Sequence, residues 1–405
     1  MTQFTHGSII PLAGGFSIGA TNIIGKPPEV IFSYKEFESN DKLYLRYLKQ
    51  HNIEVPYYQI NSKDFDIKKI KQYKNRISIV TGIPPCSGLS MCSNLKAGVR
   101  SSSPVNNWMY LSSEFILENI SPTVFVLENA PGLFTGSGDE VRKKLISIGE
   151  CFGYAITFYK TNTLRHGLPQ FRPRTFGIFV KGKNAPILNG YNKPYMPLTE
   201  FLKQIPKEAS LQNEYMNPEW DITKYEITRF LISKYGNNWR NVLLACRTHI
   251  TTYDFLRRNN LIFEFQKYQK NLEDGTEIVR KNIAHIIKKH SMGMNARINY
   301  RVLGLDKDYV YAVIGEMMER QVHPTEDRIM NIREFMSLMG LPNDYELEGQ
   351  KEFVKITQNV PVAPSENITT EIIAIINNQR ELYYKSVFMQ DNMQELIINK
   401  SKSLF

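Results

Sequence analysis

The sequence predicts an α/β protein: a mostly parallel sheet with helices on both faces, joined to a smaller, irregular domain. Three observations carry this. Short apolar, β-branched runs alternate with amphipathic stretches through the first half of the chain, the rhythm of strand–helix–strand units. That rhythm stops near Pro186–Pro197, where Asn189-Gly190-Tyr191-Asn192-Lys193-Pro194 is turn-rich. A chain of 405 residues, 42% hydrophobic and 22% charged, also has ample core for one large domain or two.

In order, the expected strands are Ser8–Leu12, Glu29–Ser33, Val55–Ile60, Ile77–Thr81, Thr123–Leu127, Tyr154–Tyr159 and Thr175–Val180. Asp41–His51, Trp108–Asn119 and Glu140–Phe152 carry helical spacing between them. Residues 1–190 form the expected first domain. Residues 191–321 lack a clear α/β rhythm and are basic, with Arg240, Arg247, Arg257, Arg258, Arg280, Lys281, Lys288, Lys289, Arg297 and Arg301; they read as a second, smaller domain touching a polyanion. In the remaining segment, 322–405, helices are expected over Asn331–Met339, stopped by Gly340-Leu341-Pro342, and over Ile368–Ile376. Asp391–Phe405 reads as a terminal helix or frayed tail.

Net charge is +10 and the pI about 9.2, which favours a polyanionic partner. The four cysteines (Cys86, Cys92, Cys151 and Cys246) show no paired CxxC spacing. A structural zinc site and a disulfide framework are therefore not expected, and a reducing, cytoplasmic setting fits. The N-terminus lacks the basic and apolar regions of a signal peptide. No apolar run approaches the ~20 residues that span a bilayer, so no membrane partner is expected.

Several strand ends carry chemistry. Gly82-Ile83-Pro84-Pro85-Cys86-Ser87-Gly88 follows an apolar strand, placing a thiol on a held loop at a sheet edge, where open α/β folds bind ligands. A nucleophilic cysteine needs such a backbone and a nearby positive group; the alternative is a small buried hydrophobe. Ser8–Gly19 runs from an apolar strand through Ala13-Gly14-Gly15-Phe16 into a helix, and its glycines allow close approach of a ligand or a tight turn. Glu36, with Glu38 as second choice, follows the second strand, where a carboxylate can hold ribose hydroxyls or simply face solvent. Glu128 ends the run Thr123–Leu127, where partial desolvation raises a carboxyl pKa and suits proton donation; a turn-stabilising Glu-Asn pair is the alternative. Arg172 and Arg174 alternate into Thr175–Val180 beside Gln170, so both should leave one face. Two guanidiniums there can lower a thiol's pKa or grip a carbonyl oxygen or phosphate. The long Ser87–Asn107 loop, with Lys96 and Arg100, is a candidate lid.

Taken in this order, the segments resemble the cytosine-5 DNA methyltransferase family. Ala13-Gly14-Gly15-Phe16 is similar to its first motif, Pro84-Pro85-Cys86 to the Pro-Cys nucleophile motif and Glu128-Asn129-Ala130 to the Glu-Asn-Val motif. Gln170-Phe171-Arg172-Pro173-Arg174 matches Gln-x-Arg-x-Arg. His323–Arg328, Ile332-Arg333-Glu334 and Met339–Pro342 resemble the segment shaping the target-recognition domain; Gln358–Val362 resembles the final motif, which returns to the cofactor site. The first motif departs from Asp-x-Phe-x-Gly-x-Gly-Gly: Ser8, Ile10 and Leu12 stand at the Asp, Phe and first Gly positions. The third motif's acidic residue is not evident, with Asn61 and Asp64 as candidates.

The resemblance implies a Rossmann-like sheet, S-adenosylmethionine as cofactor, double-stranded DNA as partner and no metal. Cys86, Glu128, Arg172 and Arg174 become the expected catalytic residues. Ile10, Ala13, Gly14, Gly15, Phe16, Glu36, Pro84, Met109, Asn359 and Val360 become the expected cofactor-binding residues. Pro85, Ser87 and Gln170 would face the flipped base or its DNA. The implied chemistry is attack of Cys86 on cytosine carbon 6, with Glu128 at the ring's third nitrogen and exocyclic amine and the arginines at the carbonyl. A monomer is expected, with a cognate restriction endonuclease as a candidate partner. A transfer-RNA methyltransferase with the same chemistry, or a non-catalytic nucleic-acid-binding regulator, are the competing readings.

Overall fold

The computed structural model describes residues 4–90, 100–206, 226–244, 256, 259–270, 308–313, 323–326, 330–349, 352–384 and 386–391. Cys92, Lys96, Cys246, the nine basic residues from Arg247 to Arg301 singled out above, Asp327, Arg328 and 392–405 lie outside them. The chain divides into two compact units: Met1–Met196 with Met336–Phe405, and Pro197–Phe335.

The first unit is built on an eight-stranded sheet. Its strands are β1 (His6–Ile9), β2 (Val30–Ser33), β3 (Tyr57–Gln59), β4 (Ile79–Gly82), β5 (Val124–Asn129), β6 (Tyr154–Asn162), β8 (Pro173–Lys181) and β12 (Val387–Gln390), in the spatial order β12-β6-β8-β5-β4-β1-β2-β3. Short strands β7 (Gln170–Phe171), β9 (Asn184–Pro186) and β11 (Leu382–Tyr384) lie outside it, and β9 pairs antiparallel with β11. Within the large sheet only β8 runs against its neighbours, β5 and β6; the other pairs are parallel. The central strands are buried along their whole length, as expected where a parallel sheet is covered on both faces. That burial is why β2 and β5 carry the apolar runs Val30-Ile31-Phe32 and Val124-Phe125-Val126-Leu127 rather than alternating sequences.

Helices α1 (Gly15–Ile24), α2 (Glu38–Gln50), α3 (Asn107–Phe115) and α4 (Asp139–Cys151) occupy the crossovers. α1 packs against the C-terminal helix Val362–Ile376, and α3 against α4. The core runs through the sheet, from Ile9, Phe32 and Val80 to Phe125, Phe158 and Phe179.

Two expected elements differ. The first strand ends at Ile9, not Leu12, because Ile10 and Leu12 both take left-handed backbone (φ 51° and 54°). The helix expected at Ile368 begins at Val362; Pro364 is tolerated because it sits in the first turn, where its missing N–H costs nothing. The edge strand β12 falls where no strand is expected, immediately before the predicted tail.

The second unit contains helices Leu198–Lys203, Glu226–Tyr235, Trp239–Leu244 and Ile262–Lys270 and strand β10 (Val310–Tyr311) among its described residues. Phe230 packs on Phe265 and Tyr268, with ring centroids 5.2 and 5.4 Å apart. Asn331 and Glu334 cap each other reciprocally at the start of helix Ile332–Leu338: Glu334 N donates to Asn331 Oδ1 (2.8 Å) and Asn331 N to Glu334 Oε2 (2.7 Å). The division falls at 196/197 and 335/336, against sequence expectations of 190/191 and 321/322.

Candidate active site

The site lies at the carboxyl ends of β4 and β5, where the chain leaves a buried parallel sheet and its side chains gain room. Cys86 sits four residues past β4, half-buried. Its loop is held from β5: Asn129 Nδ2 donates to the carbonyls of Pro84 (3.3 Å) and Pro85 (3.4 Å). A turn closes behind it, with Leu89 N donating to the Cys86 carbonyl (3.1 Å). Ser87 is exposed and Pro84 buried.

Glu128 is 2% exposed at the end of β5. Arg174 Nε lies 2.7 Å from its Oε1. The antiparallel register explains the meeting: Asn129 faces Thr175, one residue from Arg174. Arg172, 1% exposed, turns to a different partner. Its Nη2 donates to the carbonyls of Thr357 (2.7 Å) and Asn359 (3.0 Å). The two arginines thus act at one site but are anchored separately. Gln170 is fully buried, its Nε2 donating to the Leu338 carbonyl (3.1 Å); its side chain supports the turn after helix Ile332–Leu338.

These groups perturb one another. Burial pushes the Cys86 thiol up; Arg174 pulls it back, Glu128 adds to the rise and Arg172 opposes it. Burial likewise raises Glu128 against the pull of Arg174 and Arg172, the direction a proton donor needs. Arg172 is drawn down to about 9 by burial and by Arg174 beside it, with Glu128 and Cys86 acting the other way.

The glycine turn adjoins the same machinery. Gly15 N donates to Asn359 Oδ1 (3.2 Å), so Asn359 joins the turn through its side chain and Arg172 through its carbonyl. A Cβ on Gly14 would fall 2.1 Å from the Tyr44 ring, and one on Gly15 2.1 Å from the Val360 carbonyl oxygen. Both glycines are therefore required by close packing. Tyr345 OH donates to the Ala13 carbonyl (2.9 Å). Ile10, Ala13, Phe16, Met109 and Val360 are fully buried; the Phe16 ring packs edge-on against Phe176 at 5.8 Å. Glu36 is exposed beyond β2 and accepts from Asn61 Nδ2 (2.7 Å), while Asn61 Oδ1 accepts from Lys35 N (2.8 Å). Of the two third-motif candidates, Asn61 meets Glu36; Asp64 is exposed. Among the described residues no His, Cys, Asp and Glu cluster could hold a metal ion.

Sequence reading missed Asp41, Tyr44, Tyr345 and Thr357. Tyr44 was detectable, since with Leu43 and Leu48 it makes the apolar face of an amphipathic helix; Asp41 lies one turn before it on the buried face, where an acid is not expected. Tyr345 and Thr357 carry no comparable local signal.

The sheet order and these strand-end residues describe an α/β enzyme with a cysteine, an acid and two arginines at one sheet edge. The sequence profile of the C-5 cytosine-specific DNA methylases matches residues 5–374. The chain belongs to the C-5 cytosine-specific DNA methylase family, and it is a DNA cytosine-5 methyltransferase. Among similar proteins, the Type II methyltransferase M1.HphI of Haemophilus parahaemolyticus is 22% identical over 388 residues, covering 93% of this chain and 88% of its own. The Type II methyltransferase M.Bpa9945I of Bacillus paralicheniformis is 22% identical over 77% of this chain and 74% of its own. The fold is shared with the Entamoeba histolytica methyltransferase EhMeth (TM-score 0.55, 11% identity, 93% of this chain and 99% of that one). It is shared also with a DNA modification methyltransferase encoded within an E. coli prophage (TM-score 0.54, 15% identity, 92% and 99%). Among the described residues no helix is long and apolar enough to cross a membrane.

Proposed function

We propose that Cys86 is the nucleophile of this methyltransferase, Glu128 its acid and Arg172 and Arg174 its electrostatic support, and that S-adenosylmethionine is the methyl donor. One observation carries the assignment: buried Glu128 is held 2.7 Å from Arg174 at the end of the same strand whose Asn129 anchors the Cys86 loop, where the charges of Arg174 and Arg172 favour a thiolate. The thiolate must form against desolvation, so the two guanidiniums are what make attack feasible. Cys86 adds to carbon 6 of a cytosine lifted out of its stack. Glu128 holds the ring's third nitrogen and the exocyclic amine as charge builds there. Carbon 5 of the adduct, made nucleophilic by that addition, would take the methyl group; its proton would then leave to water and reversal of the Cys86 addition would free the methylated base.

The residues near the glycine turn suit the donor. Glu36 offers an exposed carboxylate to hydroxyl groups. Asn359 Nδ2 is a buried donor with no protein partner beside Gly15, suited to an oxygen of the ligand. S-adenosylmethionine would supply an electrophilic methyl group there. Basic residues within 197–335 would add phosphate contacts, and by analogy with its relatives the enzyme would protect DNA cut by a cognate endonuclease.

Sequencing of bisulfite-treated DNA from cells expressing the protein tests the reading and reports the target sequence. Wild-type expression should protect cytosines in one sequence context, and Cys86→Ser should abolish the protection. Undiminished methylation by Cys86→Ser would remove Cys86 from the mechanism.

A further inference from the structure

We propose that Asp41 is a positioning residue that compensates for the missing glycine at position 12, holding the Ile10–Phe16 turn in the form that receives the methyl donor. The inference rests on the reading that this turn holds S-adenosylmethionine.

The turn is strained. Ile10 and Leu12 both adopt left-handed backbone, a region costly for β-branched and branched side chains and normally left to glycine. Such conformations persist only where the surroundings over-determine them. At Ile10 the determinant is a backbone bond, its N–H donating to the Phe32 carbonyl (2.9 Å). At Leu12 the determinant is a side chain: its N–H donates to Asp41 Oδ1 (3.1 Å).

Asp41 is completely buried, and ionisable side chains are rarely buried without a task. It collects donors from three elements besides its own helix: Leu12 N after β1, Ser33 Oγ at the end of β2 and Tyr57 OH (3.1 Å) at the start of β3. It thereby ties the turn to the strand that leads to Glu36. One turn further along α2, the Tyr44 ring fills the space that a side chain on Gly14 would need. Burial pushes the Asp41 carboxyl up to about 7, against its three hydrogen bonds. A proton on Oδ2 can be donated to Ser33 or Tyr57, leaving Oδ1 free to accept from Leu12 in either state. The acceptor, rather than the charge, is the working feature.

The test is calorimetric affinity for S-adenosylmethionine across a small set of variants, with the donor KM and kcat alongside. Asp41→Ala orphans the Leu12 N–H and should weaken binding about tenfold or more, raising the donor KM while kcat at saturating donor holds. Asp41→Asn keeps the acceptor and should bind as the wild type does. Leu12→Gly combined with Asp41→Ala should recover part of the lost affinity, since glycine adopts this backbone freely while its N–H still lacks the acceptor. Should Asp41→Ala fail to fold, Asp41→Leu with Ser33→Ala and Tyr57→Phe removes the other two donors together with the acceptor and gives the same comparison. Unchanged affinity in Asp41→Ala, or a loss that Leu12→Gly does not relieve, overturns the proposal. Absence of binding by the wild type overturns the cofactor reading itself.

Discussion

Glu128 and Arg174 meet where little water can take the place of either. Glu128→Gln keeps the shape but removes the proton donor and half of the ion pair. Methyl transfer in single turnover should fall by about 10²–10⁴-fold, while affinity for duplex DNA stays within a few-fold; collapse of DNA affinity with intact chemistry would reassign Glu128 to recognition. At this scale the sequence was informative where a reactive type followed an apolar run. Cys86 and Glu128 stand out because each follows an apolar run: Ile79-Val80 opens β4, four residues past which Cys86 sits, and Val124–Leu127 leads directly into Glu128 within β5. Asp41 did not stand out: an acid near the start of an amphipathic helix looks like a solvated or capping group, and only the buried stripe shared with Tyr44 and Leu48 distinguishes it. The split anchoring of Arg172 and Arg174 was illegible as well, because Arg172's partners, the carbonyls of Thr357 and Asn359, are backbone groups distant in sequence.

Elements explain the departures from the sequence reading. The alternation of strand and helix was plain, since two-sided burial demands continuous apolar strands. The early end of β1 was not, because left-handed backbone at Ile10 and Leu12 is imposed from outside by Phe32 and Asp41. Strand β12 escaped notice for a related reason. Val387–Gln390 is short, and what seats it is tertiary: parallel pairing with β6, and Asp391 taking hydrogen bonds from Tyr159 and Thr161. The helix Val362–Ile376 and the segment before it close the glycine turn, and this gives a prediction. In Gly15→Ala the new methyl would overlap the Val360 carbonyl, a backbone atom with little freedom. Affinity for S-adenosylmethionine should drop at least about tenfold, a loss of 1.4 kcal/mol or more, measured by calorimetry, with secondary structure unchanged by circular dichroism. Wild-type affinity in this variant would mean that the Asn359–Val360 segment yields and plays no part in binding.

The whole molecule carries a pH signature. His6 is buried against the Lys26 carbonyl and driven down to about 4 by that burial. His166 is buried between Thr161 and Asn367 and driven down to about 3, burial leading and Lys193 assisting. An unfolded histidine takes its proton near 6.5, while the folded ones refuse it. Both therefore contribute stability that is present above 6.5 and is lost as pH falls through the folded values. From pH 7.5 to 4.5 these histidines pull the thermal midpoint down while the raised Asp41 carboxyl acts the other way, so the share of one histidine is read from a variant. Relative to the wild type, His166→Asn should lose less midpoint between pH 7.5 and 4.5, and an identical pH dependence would show that His166 contributes nothing to acid sensitivity.

The bonds joining Gly15 to Asn359 and Arg172 to Thr357 and Asn359 also have a consequence during synthesis. A chain emerging from the ribosome N-terminus first presents its thiol, acid and arginines long before residue 359 exists. Until that late segment threads back, the Gly15 amide and the Arg172 guanidinium are without the bonds that Thr357 and Asn359 supply. Assembly of the site is therefore deferred, and a half-made chain is a poor modifier of any DNA it meets.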